Sequence, residues 1–165
     1  MMSPNDLSAT EVSVSVDGHA AASRVPSTRL LLDYLREDRG ATAPKWGCGT
    51  GDCGACTVVL DGVALDSCLV YAAECDGSSV MTSAGLETTP VGIAATEELL
   101  AAGAVQCGIC TPGFLVTIVS GVGDLGPSPT REQIVELLSG NVCRCTGYLP
   151  IIEAVQRLAA RVNGG

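Results

Sequence analysis

Histidine and tryptophan each occur once in the 165-residue chain, phenylalanine once and tyrosine three times. A single histidine leaves little for general-base or Ser/His/Asp chemistry, and no interpretable carboxylate pair stands in for it. That residue, His19, falls at a hairpin edge and reads as solvated rather than catalytic. Positive charge is also scarce. Nine Lys and Arg against eighteen Asp and Glu leave a formal net charge of −9. A nucleic-acid partner would call for a basic stripe facing phosphates, and anionic lipid for a basic cluster, so the composition argues against both. The hydrophobic fraction, 47%, is too high for a disordered chain. The stretch MMSPNDLSATEVSV has neither a basic region nor an apolar run, so no secretory signal is expected and the location is expected to be cytoplasmic.

From Leu99 to Gly123 no residue is charged, which by length alone would allow a membrane span. Gly103, Gly108, Pro112 and Gly113 interrupt that run, however, and Gln106, Cys107 and Cys110 lie in its middle. Lipid would have to accept those polar and helix-breaking positions. A buried helical core around a site is the expectation, with no membrane span.

What the chain does have is nine cysteines. An odd number without an export signal speaks against a disulfide framework. Cys48, Cys53, Cys56 and Cys68 follow C-x4-C-x2-C-x11-C, and Cys107, Cys110, Cys143 and Cys145 follow C-x2-C-x32-C-x-C. Two complete sets of four thiols are what two independent metal centres require. Structural zinc takes paired knuckles, whereas three cysteines on one loop with a distant fourth is the plant-type ferredoxin spacing for a 2Fe–2S cluster. The glycines of Trp46–Cys56 (WGCGTGDCGAC) suit that choice, because backbone N–H groups can then approach the sulfurs. Gly49-Thr50-Gly51-Asp52-Cys53-Gly54 also matches the dinucleotide fingerprint G-x-G-x-x-G. It lacks the preceding strand and following helix that the motif needs, so the match is incidental. For the second set, spacing alone leaves a cluster and zinc both open. Cys75 is left over and reads as a buried core residue.

Along the chain, Glu11–Val16 alternates, Asp17-Gly18 signals a hairpin, and His19–Val25 returns. A helix capped by Ser27 or Thr28 is expected to end before Gly40. Thr57–Leu60, Val63–Leu65 and Ser79–Thr82 read as strands. GLETTPVG (Gly85–Gly92) reads as a linker, followed by helices over Ile93–Ala102, Pro112–Gly121, Thr130–Ser139 and Leu149–Val162, with a capping box at Thr130 and Gln133. Charge divides in the same way: residues 1–90 carry five basic and twelve acidic groups, residues 91–165 four and six. The expected architecture is α+β, as an N-terminal extension (1–10), a first domain (11–84), the linker (85–92) and a helical domain (93–165). Redox centres without a place for substrate chemistry suggest an electron conduit serving chemistry elsewhere.

Three strings, GCGTGDCGACTV (Gly47–Val58), VQCGICTPG (Val105–Gly113) and GNVCRCTGY (Gly140–Tyr148), resemble the small iron–sulfur subunit of molybdenum hydroxylases, the xanthine oxidase family. They occur in order over nearly the whole chain. The resemblance implies a plant-type ferredoxin β-grasp domain and a four-helix domain, with a 2Fe–2S cluster in each. It implies a large partner subunit holding a molybdenum–pterin cofactor and a medium one holding FAD, assembled as a dimer of heterotrimers. Cys107, Cys110, Cys143 and Cys145 would bind the cluster nearest molybdenum, and Cys48, Cys53, Cys56 and Cys68 the one nearest FAD. Gln106 would hydrogen-bond the pterin, and Cys145 would lie on the through-bond route to it. Cys75 matches no family ligand. The family acts on purines, aldehydes, carbon monoxide, aromatic N-heterocycles and aromatic acyl-CoA. A free-standing ferredoxin-like carrier would leave the second set and Gln106 unexplained, and a structural zinc protein would be colourless.

Overall fold

The protein is represented by a computed structural model that describes residues 9–164. Residues 1–8 of the expected extension lie outside that range, and Ala9 and Thr10 already pair in the sheet. In β1 (Ala9–Val16), Val12, Val14 and Val16 are buried and alternate with polar residues, so one face of the strand is apolar. The chain reverses at Asp17 and Gly18, with φ of 50° and 83°, into β2 (His19–Pro26). Positive φ at both positions matches the twist of a two-residue hairpin. β3 (Thr57–Leu60) and β4 (Val63–Asp66) repeat the device at Asp61 and Gly62. β5 (Ser79–Met81) runs parallel to β1 and antiparallel to β3, giving the order β2-β1-β5-β3-β4.

A helical segment, α1 (Leu31–Asp33) continued by a π-helical turn (Tyr34–Asp38), packs onto this sheet. Its Leu31, Tyr34 and Leu35 share a core with Val12, Val14, Val58 and Val80. This is the expected α+β, ferredoxin-type arrangement. The helix, however, is not capped by Ser27 or Thr28. Leu30 stays extended because it bridges to Tyr71, and the Leu31 N–H donates to the Val70 carbonyl at 2.8 Å. Backbone pairing supplies what a capping side chain would have supplied.

The stretch read as a linker is largely helical. α2 (Ser83–Leu86) is capped by Thr82, which also ends the last expected strand one residue early. α3 (Pro90–Ala101) starts at Pro90, and the Thr89 hydroxyl accepts the Gly92 N–H at 3.1 Å. Threonine and proline here are cap and first-turn residues rather than loop formers. α4 (Thr111–Gly121), a 3₁₀ turn (Val122–Leu125), α5 (Arg131–Leu137) and α6 (Leu149–Asn163) complete the helical half. The Thr130–Gln133 capping box forms, with bonds of 3.3 and 2.8 Å. Phe114, Leu115 and Ile118 of the uncharged run pack with Leu99, Ile134, Ile151, Val155 and Leu158. Among the described residues no helix is long and apolar enough to cross a membrane.

The two halves meet where α4 starts. A Cβ on Gly113 would lie 1.9 Å from the Gly54 carbonyl oxygen, a backbone atom that cannot swing aside. Gly113→Ala should therefore destabilise the chain by about 3 kcal/mol, lowering Tm by roughly 6–12 °C at this length. Gly123→Ala, where a Cβ meets nothing within 4 Å, should not lower it. Thermal denaturation of both variants checks the contrast.

Candidate metal centres

The β3–β4 hairpin assembles the first set. Cys48, Cys53 and Cys56 lie on the loop entering β3, and Cys68 lies on the 3₁₀ turn (Ser67–Leu69) leaving β4. Cys56 and Cys68 are buried together against Leu32. Burial, with Cys68 alongside, pushes the Cys56 thiol up to about 12. At the exposed rim, the Thr50 side chain and backbone N–H, the Cys53 thiol and the Asp52 N–H lower Cys48 to about 6. The Thr50 and Asp52 N–H groups lie 3.4 and 3.3 Å from the Cys48 sulfur, and the Cys48 N–H donates to the Cys53 sulfur at 3.3 Å. These donors are held by close packing on the loop glycines. A Cβ on Gly49 would meet the Trp46 ring at 2.8 Å, and one on Gly51 would meet Leu69 at 2.4 Å. Trp46 is itself anchored, its indole N–H donating to Asp33 Oδ1 at 2.8 Å.

The second set comes from two loops of the helical half. Cys107 and Cys110 precede α4, with Cys110 at its N-cap, and Cys143 and Cys145 lie between α5 and α6. The Cys107 and Cys145 sulfurs are 3.6 Å apart. Burial, and then the facing Cys143, push Cys110 up to about 12. Burial opposes ionisation of Cys143 as well, but the hydroxyl and N–H of Thr146 and the N–H of Cys145 outweigh it and lower the thiol. All four cysteines line a cavity of about 190 Å³, together with Cys53 of the first set. Gln106 is exposed directly beside Cys107.

Among the described residues, no three His, Cys, Asp or Glu side chains converge on a single ion position. The Cys107 and Cys145 sulfurs instead pair at 3.6 Å, and side-chain contact with Cys53, Cys68 and Cys143 shifts the thiols of Cys48, Cys56 and Cys110 respectively. Two thiolates on one tetrahedral metal atom about 2.3 Å away lie roughly 3.8 Å apart. Paired thiols in sets of four therefore suit a binuclear centre, two per metal atom, better than one zinc ion. Soft thiolates with N–H donors aimed at sulfur are also the donor chemistry of iron–sulfur clusters.

Of three residues that sequence reading passed over, two tie these centres together and the third closes the second centre's own loop. Asn141 Nδ2 donates to the Gly54 carbonyl at 3.0 Å, and the Val142 N–H donates to the Cys53 carbonyl at 3.0 Å. Tyr148 adopts a left-handed φ of 69°, and its phenol oxygen accepts the Cys143 N–H at 3.1 Å. All three sit in the string GNVCRCTGY, but only the fold brings Asn141 and Val142 onto the first loop, while Tyr148 closes its own loop around Cys143. Cys75 is fully buried in the N-terminal core, pushed up to about 11 by burial, as the spare-cysteine reading expects. His19 is exposed.

Comparison with known proteins agrees with this geometry. A family model described as a 2Fe-2S iron-sulfur cluster binding domain matches residues 14–86, and one described as a 2Fe-2S binding domain matches residues 82–156. The chain is 42% identical to the nicotine 6-hydroxylase small subunit of Paenarthrobacter nicotinovorans, over 94% of this chain and 93% of that one. It is 40% identical to the nicotinate dehydrogenase small FeS subunit of Eubacterium barkeri, over 91% and 95% respectively. The crystal structure of quinoline 2-oxidoreductase from Pseudomonas putida 86 superposes with a TM-score of 0.86 at 36% identity, covering 95% of this chain and 97% of that one. With both halves matched and such relatives aligned almost end to end, the chain belongs to the small iron–sulfur subunits of the molybdenum hydroxylases, the xanthine oxidase family, and carries two 2Fe–2S binding domains.

Proposed function

We propose that the chain passes electrons from a molybdenum–pterin centre on a large partner subunit to FAD on a medium one, in a cytoplasmic dimer of heterotrimers. Residues 11–84 hold the centre nearest FAD through Cys48, Cys53, Cys56 and Cys68. Residues 93–165, beyond the 85–92 connection, hold the centre nearest molybdenum through Cys107, Cys110, Cys143 and Cys145. A 2Fe–2S cluster supplies a one-electron couple when bound. The observation that carries the reading is the 3.0 Å bond from the Val142 N–H to the Cys53 carbonyl. It joins a ligand of the first centre to the residue next to Cys143, a ligand of the second, by a short run of covalent bonds and one hydrogen bond. The exposed Cys107, Cys145 and Gln106 leave one edge of the second centre open towards the pterin. Exposed Cys48, with Trp46 46% and Leu69 60% exposed beside it, leaves the other end open towards FAD. Relatives named for nicotine, nicotinate and quinoline support a pyridine-type aromatic N-heterocycle, as distinct from a purine, as the substrate of the complex.

The native complex should contain about four irons and four acid-labile sulfides per copy of this chain and give two distinct electron paramagnetic resonance signals on reduction. A single signal, or a chain that purifies without molybdenum and flavin partners, would overturn the assignment. Turnover of quinoline or nicotinate should exceed that of hypoxanthine or an aldehyde, and a purine preference would refute the substrate class. Cys107→Ser should abolish one signal only, while Cys75→Ala should keep both, because Cys75 is a buried thiol donating to the Tyr71 carbonyl at 3.6 Å. Gln106→Ala should keep both signals and change turnover or the molybdenum signal. Loss of the second cluster in that variant would contradict its pterin role.

A further inference from the structure

The geometry points to the Thr146 hydroxyl as the donor that sets how readily the second centre is reduced, with Tyr148 as the positioning residue that aims it. This rests on the two-centre reading above. Thr146 Oγ1 lies 3.2 Å from the Cys143 sulfur. Cys143 is buried, so water contributes little to solvating its sulfur. One-electron reduction adds a negative charge that the ligand sulfurs share, and a hydrogen bond to sulfur favours the reduced form. At the first centre backbone N–H groups of Cys48, Thr50 and Asp52 bond the sulfurs, and the Thr50 hydroxyl beside Cys48 donates to Asp52 Oδ2 at 2.6 Å. At Cys143 a side-chain hydroxyl takes part, and substitution can remove it.

The aim of that hydroxyl is set by a second bond. The Tyr148 N–H donates to Thr146 Oγ1 at 3.2 Å, occupying a lone pair and leaving the hydroxyl proton for the sulfur, which as a metal ligand can only accept. Tyr148 can present its N–H there because its φ is 69°, a region that a bulky side chain rarely enters. Three contacts hold it in place. Its phenol accepts the Cys143 N–H at 3.1 Å, donates to the Asn141 carbonyl at 3.3 Å, and its ring stands edge-on to Phe114 at 6.2 Å. A purely structural role for Thr146 and Tyr148 would keep the loop closed but leave the potential of the centre unmoved.

Redox titration of the native complex, followed by electron paramagnetic resonance, separates these roles. Thr146→Val, which keeps the shape and removes the donor, should disfavour reduction of the second centre about tenfold, equivalent to about 59 mV downward for a one-electron couple. The first centre should not move. Thr146→Ser should restore the wild-type potential, and Tyr148→Phe should shift it in the same direction by less. In a Thr146→Val background, Tyr148→Phe should add nothing further, because its effect acts through the hydroxyl. An unmoved or raised potential in Thr146→Val overturns the inference. Should that variant lose the signal, Tyr148→Phe decides, and an unmoved potential there overturns it as well. A wild-type complex with only one signal overturns the two-centre reading itself, and this inference with it.

Discussion

The Gly54 carbonyl is the atom on which the two halves of the molecule converge. It accepts hydrogen bonds from Asn141 Nδ2 at 3.0 Å and from the Thr57 hydroxyl at 2.7 Å, with the Thr57 N–H at 3.3 Å. Gly113, near the start of α4, approaches it so closely that no side chain fits between. One backbone oxygen thus links the cysteine loop, the first residues of β3, the head of α4 and the α5–α6 loop. Buried polar groups of this kind must be satisfied, so each partner is held to one distance and direction. The two thiol sets inherit their separation from that constraint rather than from any contact between their sulfurs.

Around this hub each centre is shielded differently. The first is a glycine loop pressed between Trp46 and Leu69, with backbone N–H groups turned onto its sulfurs. The second sits at the head of a helix with no charged residue, in a loop closed by side chains: Tyr148, Thr146 and the edge-to-face Phe114. An already acidic chain that is to hold two anionic groups has few cations to neutralise them. Hydrogen-bond donors and an apolar shell carry that task instead, which makes donor geometry the main means of setting potentials here. The surface ion pairs tying α3 to α6, Arg157–Glu98 and Arg161–Glu97, are exposed and contribute little beyond the packing of the amphipathic helix they flank.

Much of this was legible in the residues. Asp-Gly turns between alternating segments fixed both hairpins, because only residues tolerant of positive φ close such turns with the right twist. Thr130 and Gln133 marked a helix start by reciprocal capping. The two 2Fe–2S binding domains were readable because the cysteine sets follow spacings that a metal centre imposes. Other features were misread for a shared reason. Ser27 and Thr28 looked like caps and Gly85–Gly92 like a linker, yet pairing of Leu30 with Tyr71 and burial of Leu86 decided those segments. Local propensity gives way where distant strands or helices supply the missing partners.

Composition and spacing alone determined that the chain is an acidic redox protein with two four-cysteine sets and one spare thiol, because charge balance, turn chemistry and ligand spacing are local properties. Tertiary structure decided how the sulfurs pair, which carbonyl joins the two loops, and which hydroxyl and phenol serve Cys143. Those relations connect residues as far apart as Gly54 and Asn141, or depend on a left-handed tyrosine, and packing of the whole chain creates them.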